Sequence, residues 1–121
     1  MFENVLIADD SLLARRMLTA AVQGTLPEVR IKEAVDGEDA FAKMVDTPAQ
    51  IVFMDYNMPK MTGIEAIEKI AEHFPETVFA LVTANTQKVL QTRIEHLNVT
   101  LILKPIDKSK VESFLKGLSG G

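Results

Sequence analysis

The chain has 121 residues, 47% of them hydrophobic and 25% charged, which is the size and composition of one globular domain. It contains no cysteine, which excludes disulfides, thiol catalysis and thiolate metal sites. The net charge of −4 argues against direct binding to a nucleic-acid backbone. No segment approaches the roughly 20 apolar residues of a membrane span, and the acidic pair at 9–10 comes too early for a secretory signal. We therefore expect a cytoplasmic protein without membrane insertion.

Short apolar runs predict the strands of a buried sheet. The four clearest are Val5–Ala8, Ile51–Met54, Val78–Val82 and Leu101–Leu103. Each is too short for a helix and rich in branched residues, which is typical of parallel strands covered on both faces. A fifth run, Val29–Val35, carries charged residues and is predicted to be an edge strand.

The segments between these runs repeat their apolar residues with the period of a helix. The predicted buried stripes are Leu13, Met17 and Ala21 (widened by Ala14, Leu18 and Val22); Phe41, Met44 and Val45; Ile67, Ile70, Ala71 and Phe74; Leu90, Ile94 and Leu97; and Val111, Phe114, Leu115 and Leu118. Ser11 and Asp107 are predicted helix N-caps, and Pro75 ends the third helix. Arg15 and Arg16 are interpreted as part of a solvated face.

Five successive strand–helix units predict an α/β fold, with a doubly wound parallel sheet of five strands and helices on both faces. We expect one domain over residues 1–121, in which Ser119–Gly121 form a flexible tail or the start of a linker.

Polar side chains follow four of the predicted strands. Asp9 and Asp10 follow the first strand, Asp55 the third, Thr83 the fourth and Lys104 the fifth. The carboxyl ends of parallel strands meet at one edge of the sheet, where ligands bind. Carboxylates in close proximity repel one another, so either some take up protons or a cation compensates them, and an oxygen-only set suits Mg²⁺. With a hydroxyl and an ammonium group nearby, the set suits phosphoryl transfer to the Asp55 carboxylate.

Each of these residues also has an ordinary structural explanation on its own. Asp10 could cap a helix, Thr83 could simply end a strand, and Lys104 could be a solvated loop residue. The arrival of all of them at one edge of the sheet favours a functional site.

The sequence resembles the receiver domains of two-component response regulators, most of all the stand-alone chemotaxis regulators. The resemblance covers essentially the whole chain and rests on Asp9-Asp10-Ser11, the run DYNMPKMTG at 55–63, Thr83-Ala84 and Lys104-Pro105. It implies a flavodoxin-like strand order, 2-1-3-4-5. It also implies a cis bond before Pro105, and that Pro59 and Gly63 shape the loop after Asp55.

The resemblance implies a role for each residue of the site. Asp55 matches the phosphorylated aspartate, Asp10 a direct Mg²⁺ ligand, Asp9 an acid that acts through water, Asn57 a ligand through its backbone carbonyl, Thr83 the hydroxyl and Lys104 the ammonium that contact the phosphoryl group. A histidine kinase is the implied donor. The domain is expected to catalyse only its own phosphorylation and dephosphorylation, at a rate that depends partly on Asn57 and Asn85, and is therefore not an enzyme with a separate substrate.

The implied partner surface is formed by the fourth helix, the fifth strand and the fifth helix. Polar residues of the predicted fourth helix include Gln87, Lys88 and Arg93. One residue departs from the family pattern. Receivers often have an aromatic residue three positions before the lysine, and this chain has Leu101, so the familiar aromatic switch is not expected.

Three alternatives remain open at this point. A phosphatase of the haloacid dehalogenase type would carry D-x-D on its first strand, whereas the two acids here are adjacent. A receiver fold could serve as a scaffold without phosphorylation, or the chain could be a fragment of a larger regulator.

Overall fold

A computed structural model describes residues 2–84 and 88–118, so Asn85, Gln87 and the 119–121 tail lie outside the described residues. The elements, in chain order, are β1 Asn4–Ala8, α1 Leu12–Thr25, β2 Arg30–Ala34, α2 Gly37–Asp46, β3 Ile51–Asp55, α3 Gly63–His73, β4 Val78–Thr83, α4 Lys88–Ile94, β5 Val99–Leu103 and α5 Lys108–Leu118. None of the helices in these ranges has the length and apolarity to cross a membrane.

The strands form one parallel sheet in the order β2-β1-β3-β4-β5. The predicted fold class and strand order are both confirmed. The chain leaves β1 toward one edge of the sheet and later returns to the other side of β1 as β3. The carboxyl ends of these two neighbouring strands therefore form the switch point of the sheet, where a ligand site is expected.

Helices cover both faces of the sheet, because successive strand residues point to opposite sides. Ile7 and Phe53 pack with α1 and α5 on one face. Leu6, Val52 and Phe79 pack with α2, α3 and α4 on the other. The central strand β3 is buried along its whole length, whereas the edge strand β2 is mostly half-exposed, as its charged residues predict.

Local hydrogen bonds fix where the helices begin. The Ser11 side chain accepts a hydrogen bond from the Ala14 amide and is the N-cap of α1, as predicted. Asp107 accepts from the Lys110 amide at 2.8 Å, which confirms its capping role. Thr62 and Glu65 form a capping box at the start of α3, immediately after the loop that follows β3.

Part of the predicted helix burial is wrong. Leu13 and Met17 are 70% and 48% exposed, and Val45 is 62% exposed. In α1 the buried stripe runs through Leu18 and Val22 with Ala21, so the helix is turned by about one position from the predicted face. The sequence is apolar along both stripes, and periodicity alone did not distinguish them.

Candidate functional site

The polar residues after the strands are held by hydrogen bonds that extend the sheet beyond the strand ends. The Asp9 amide donates to the Ala34 carbonyl at 3.0 Å, and the Lys104 amide donates to the Thr83 carbonyl at 2.9 Å. After β3, the Tyr56 amide donates to the carbonyl of residue 82 at 3.0 Å. The backbone beneath the site is therefore tied to neighbouring strands, even where the chain leaves them.

Three carboxylates meet at this edge. Asp9, Asp10 and Asp55 each offer an oxygen, and these oxygens lie within 4.8 Å of one another. Asp9 and Asp55 are 2% and 3% exposed, whereas Asp10 is exposed. Since Ser11 is the cap of α1, the alternative that Asp10 is a helix cap is excluded. The predicted convergence of the acidic residues is confirmed.

Lys104 contacts Asp55, one of the two buried aspartates of this cluster. Its Nζ lies 2.9 Å from Asp55 Oδ1 and forms an ion pair with it. The Asp55 side chain is 4% exposed and that of Lys104 is 37% exposed. With all groups ionised, the three carboxylates and one ammonium carry a formal charge of −2.

Burial opposes this concentration of negative charge. It raises the pKa of Asp55, which Lys104 counteracts and the nearby Asp10 carboxylate reinforces. It also raises the pKa of Asp9, against the hydrogen bond from the Ser11 amide and with a further increase from Asp55. Burial alone would lower the pKa of Lys104, but its acidic neighbours outweigh that effect and raise it. The carboxyl groups are thus poorly compensated by protein charge alone.

One carboxylate oxygen of the cluster lacks a hydrogen-bond partner. Within the described residues, the buried Oδ2 of Asp9 accepts no hydrogen bond, whereas Oδ1 of Asp55 lies 2.9 Å from the Lys104 ammonium. Buried carboxylate oxygens without donors are costly unless a cation contacts them. A divalent cation would offset the formal charge of −2, and all-oxygen ligands suit Mg²⁺. The residues present therefore fit a Mg²⁺ ion.

The remaining predicted residues surround the cluster. Thr83 is the last residue of β4 and is 1% exposed. Asn57 lies exposed in the loop after β3. The roles of the Thr83 hydroxyl and the Asn57 carbonyl stay predictions. The peptide bond before Pro105 is cis, as the resemblance implied.

Two residues in the loop after β3 and at its junction with α3 have special backbone requirements. The left-handed backbone conformation falls on Lys60, with φ 73°. Gly63 is instead the first residue of α3, and a Cβ there would lie 2.3 Å from the Asp55 carbonyl oxygen. The glycine is therefore needed for a close approach of α3 to β3, beside the buried Asp55.

Sequence reasoning missed Arg15, which is not part of a solvated face. Its side chain is 12% exposed, and it contacts both Glu33 and the Asp9 carbonyl. Arg15 lies four residues after Ser11, which places it above the helix cap on the same side of α1. Arg16, its neighbour, is exposed as predicted.

Comparison with known proteins identifies similar sequences and folds. The sequence model of the response regulator receiver domain matches residues 5–116. The chain is 33% identical over 122 residues to the chemotaxis protein CheY of Thermotoga maritima, covering 98% of this chain and 99% of that one. It is 32% identical over 115 residues to the sensory transduction protein LytT of Bacillus subtilis, covering 93% of this chain but 46% of LytT.

A solved structure agrees with this similarity. The crystal structure of the CheX-CheY-BeF3-Mg²⁺ complex from Borrelia burgdorferi contains a chain that is 30% identical to this one, with a TM-score of 0.87. The alignment covers 97% of this chain and 89% of that one. Several relatives named as protein-glutamate methylesterases are also matched, but the chain spans only 27% to 29% of their length.

Proposed function

Because the chain belongs to the response regulator receiver domain family, we propose that it is a phosphorylation-activated switch of a two-component system. Asp55 accepts a phosphoryl group from a histidine kinase in a Mg²⁺-dependent reaction. The observation that carries the proposal is the meeting of Asp9, Asp10 and Asp55 oxygens within 4.8 Å, with Lys104 2.9 Å from Asp55. The chemotaxis names of two relatives matched over nearly their whole length support a regulator of that type.

The proposed reaction moves the phosphoryl group from a histidine nitrogen of the donor to a carboxylate oxygen of Asp55. The nitrogen–phosphorus bond breaks and an oxygen–phosphorus bond forms, which gives an acyl phosphate. Asp55 acts as its ionised form, which the adjacent Lys104 ammonium favours against the effect of burial on its pKa. After transfer, Lys104 is close enough to pair with a phosphoryl oxygen instead of the carboxylate.

The other site residues hold the metal and the phosphoryl group. Asp10 and Asp55 would bind Mg²⁺ directly, together with the backbone carbonyl of Asn57, and Asp9 would act through water. When bound, Mg²⁺ would stabilise the negative charge on the phosphoryl oxygens during the transfer. The Thr83 hydroxyl donates a hydrogen bond to the phosphoryl group. Attack by water on the acyl phosphate later returns the domain to its resting state.

The domain therefore catalyses only its own phosphorylation and dephosphorylation. The methylesterase relatives extend far beyond the matched region, so their named activity is not carried over.

The exposed apolar residues Leu12, Leu13 and Met17 lie on α1, which begins beside Asp9 and Asp10, and they support docking of the phosphoryl donor there. The kinase and the domain are proposed to meet in the cytoplasm, which cell fractionation would test.

The proposed output surface comprises α4, β5 and α5. Thr83 is the last residue of β4 and Lys104 directly follows β5, so contacts with a phosphoryl group act on the segments that lead into α4 and α5. Leu101 is half-buried and packs against the core on the α3–α4 side. The conformational change that follows phosphorylation therefore proceeds at this surface without an aromatic ring on β5. Reversing the charges of Lys88 and Arg93 should weaken binding of the phosphorylation-dependent partner, and unchanged binding would exclude this surface.

The phosphoacceptor is tested by incubating the full chain with Mg²⁺ and acetyl phosphate, followed by intact-mass measurement. We expect the parent protein to gain one phosphoryl group, Asp55→Asn to gain none, and chelation of Mg²⁺ to abolish the reaction. Asp46→Asn is a matched control, because Asp46 is an exposed aspartate paired with Lys32 outside the cluster. Equal labelling of Asp55→Asn and the parent would refute the site, and no labelling of the parent would favour a scaffold function.

A further inference from the structure

Arg15 is a nearly buried cation beside the acidic cluster. It lies in the first turns of α1, and its side chain is 12% exposed. Its Nε donates to Glu33 Oε1 at 2.8 Å, and its Nη1 donates to the backbone carbonyl of Asp9 at 2.7 Å. The guanidinium thus joins α1 to the last part of β2 and to the segment that follows β1.

The carbonyl that Arg15 contacts belongs to the peptide group between Asp9 and Asp10. A peptide group is planar, so fixing its oxygen fixes how the two residues are turned relative to one another. The Asp9 amide is also bound to the Ala34 carbonyl, and Asp9 Oδ1 accepts from the Ser11 amide at 2.8 Å. Because Oδ1 accepts from the Ser11 amide, Asp9 Oδ2 is the carboxylate oxygen without a hydrogen-bond partner in the described part of the chain.

The charge of Arg15 is balanced by its partner. The guanidinium forms a close ion pair with Glu33, whose side chain is 36% exposed. A neutral pair can orient the peptide without adding a net positive charge that would repel a bound cation. This differs from Lys104, whose ammonium contacts an Asp55 carboxylate oxygen directly.

We propose that Arg15, supported by Glu33, is a positioning residue that orients the Asp9–Asp10 peptide so that both carboxylates face Asp55, where Asp10 binds Mg²⁺ directly and Asp9 acts through water. The inference rests on the proposed function, since it concerns the metal site of that function. The competing explanation is that Arg15 only ties α1 to β1 and β2, in which case its loss would lower stability and leave Mg²⁺ affinity unchanged.

The test measures Mg²⁺ affinity in the full chain by isothermal titration calorimetry. Removing groups that orient metal ligands typically weakens binding by about 10–100-fold, so we expect the dissociation constant of Arg15→Gln to rise by at least about tenfold. Arg15→Lys keeps the charge but donates from a single nitrogen, so it should give an intermediate value. Arg16→Gln is the matched control on the neighbouring exposed residue and should bind like the parent.

Urea unfolding without Mg²⁺ separates stability from affinity. Arg15→Gln is expected to lose stability, and the inference requires that Mg²⁺ affinity falls as well in the fraction that remains folded. Glu33→Gln leaves the contact between Arg15 and Asp9 in place, so its dissociation constant should rise less than that of Arg15→Gln. If Arg15→Gln does not fold, Arg15→Lys decides by the same comparison with Arg16→Gln.

The two proposals fail in different ways. If the parent protein binds no Mg²⁺, the proposed function is wrong. If the parent binds Mg²⁺ and the Arg15 variants bind it within about twofold of the parent, the metal site stands and the positioning role of Arg15 is refuted. A second readout is the amide dynamics of Asp10 and Ser11 by NMR in the metal-free protein, which should become more mobile in Arg15→Gln and stay unchanged in Arg16→Gln.

Discussion

Substitution of Gly63 by alanine tests how closely the fold and the phosphoacceptor site are connected. A Cβ at this position would lie 2.3 Å from the Asp55 carbonyl oxygen and 3.0 Å from Leu81 Cδ1, whereas ordinary contacts begin at 3.4 Å. The start of α3 and the end of β3 would have to separate by about 1 Å. Because the closest atom belongs to the backbone, no side-chain rotation relieves the contact.

The expected cost follows from these distances. Overpacking in a tight core costs about 1–3 kcal/mol, and the hydrogen bond from the Gly63 amide to the Tyr56 carbonyl, 2.8 Å long, would be strained as well. Alanine recovers up to about 1 kcal/mol of helix propensity. We expect Gly63→Ala to lower the free energy of unfolding by about 2 kcal/mol, a large fraction of the roughly 5–15 kcal/mol typical of a domain.

Urea unfolding followed by circular dichroism measures this change. Gly117→Ala is the matched control, since Gly117 lies in α5 and a Cβ there would meet nothing within 4 Å. It should be stabilising by about 0.5–1 kcal/mol. Gly63→Ala should also label more slowly with acetyl phosphate, because the displaced carbonyl belongs to Asp55 itself. A stability within about 0.5 kcal/mol of the parent would show that the contact is relieved easily, contrary to this reasoning.

Two further predictions concern charge. Partial burial opposes ionisation of Asp39, but hydrogen bonds from Lys43 and the Val35 amide outweigh it and hold its pKa below the ordinary value of 3.8. A depressed pKa adds stability that is present above pH 3.8 and is lost as the pH falls through the pKa of the folded state. In urea unfolding, Asp39→Asn should therefore have a lower free energy of unfolding than the parent at pH 6, and the difference should vanish in acid. A difference that does not depend on pH would contradict this prediction. Asp10→Asn removes repulsion within the cluster, so it should raise the free energy of unfolding in the absence of Mg²⁺. The parent should gain about 2.7 kcal/mol at a Mg²⁺ concentration of one hundred times its dissociation constant, and the variant much less; a destabilised metal-free variant would be inconsistent with repulsion.

The sheet and the acidic cluster were predictable because they depend on patterns that act locally. The run at 51–54 is apolar on consecutive residues, which suits a strand buried on both faces and poorly suits a surface helix. Once the strands alternate with helices, parallel topology brings their carboxyl ends together, and Asp9, Asp55 and Lys104 lie at those ends or directly after them. The strand order came from the resemblance, because alternation alone permits several orders.

The errors lie where tertiary packing chooses between equivalent local patterns. In α1, two adjacent apolar stripes were both compatible with a buried face, and packing against α5 and the sheet left Leu13 and Met17 outside. Arg15 was misjudged because its partners are distant in sequence or belong to the backbone. Glu33 lies 18 residues away, and a main-chain carbonyl carries no sequence signal. Gly63 was recognised, but its role depends on a distance to Asp55 that only the folded chain reveals.

The structure of the site links folding to metal binding through one energetic cost. Hydrogen bonds beyond the strand ends hold the backbone at Asp9 and at Tyr56, which directly follows Asp55, so the backbone opposes a movement that would separate these two carboxylates. Burial prevents water from screening them, and the pKa values of Asp9 and Asp55 rise as a result. The fold thus loses stability by keeping the cluster assembled in the absence of a cation. A divalent cation bound at the cluster would offset that loss, so the rigidity that destabilises the metal-free protein would contribute to affinity for the metal.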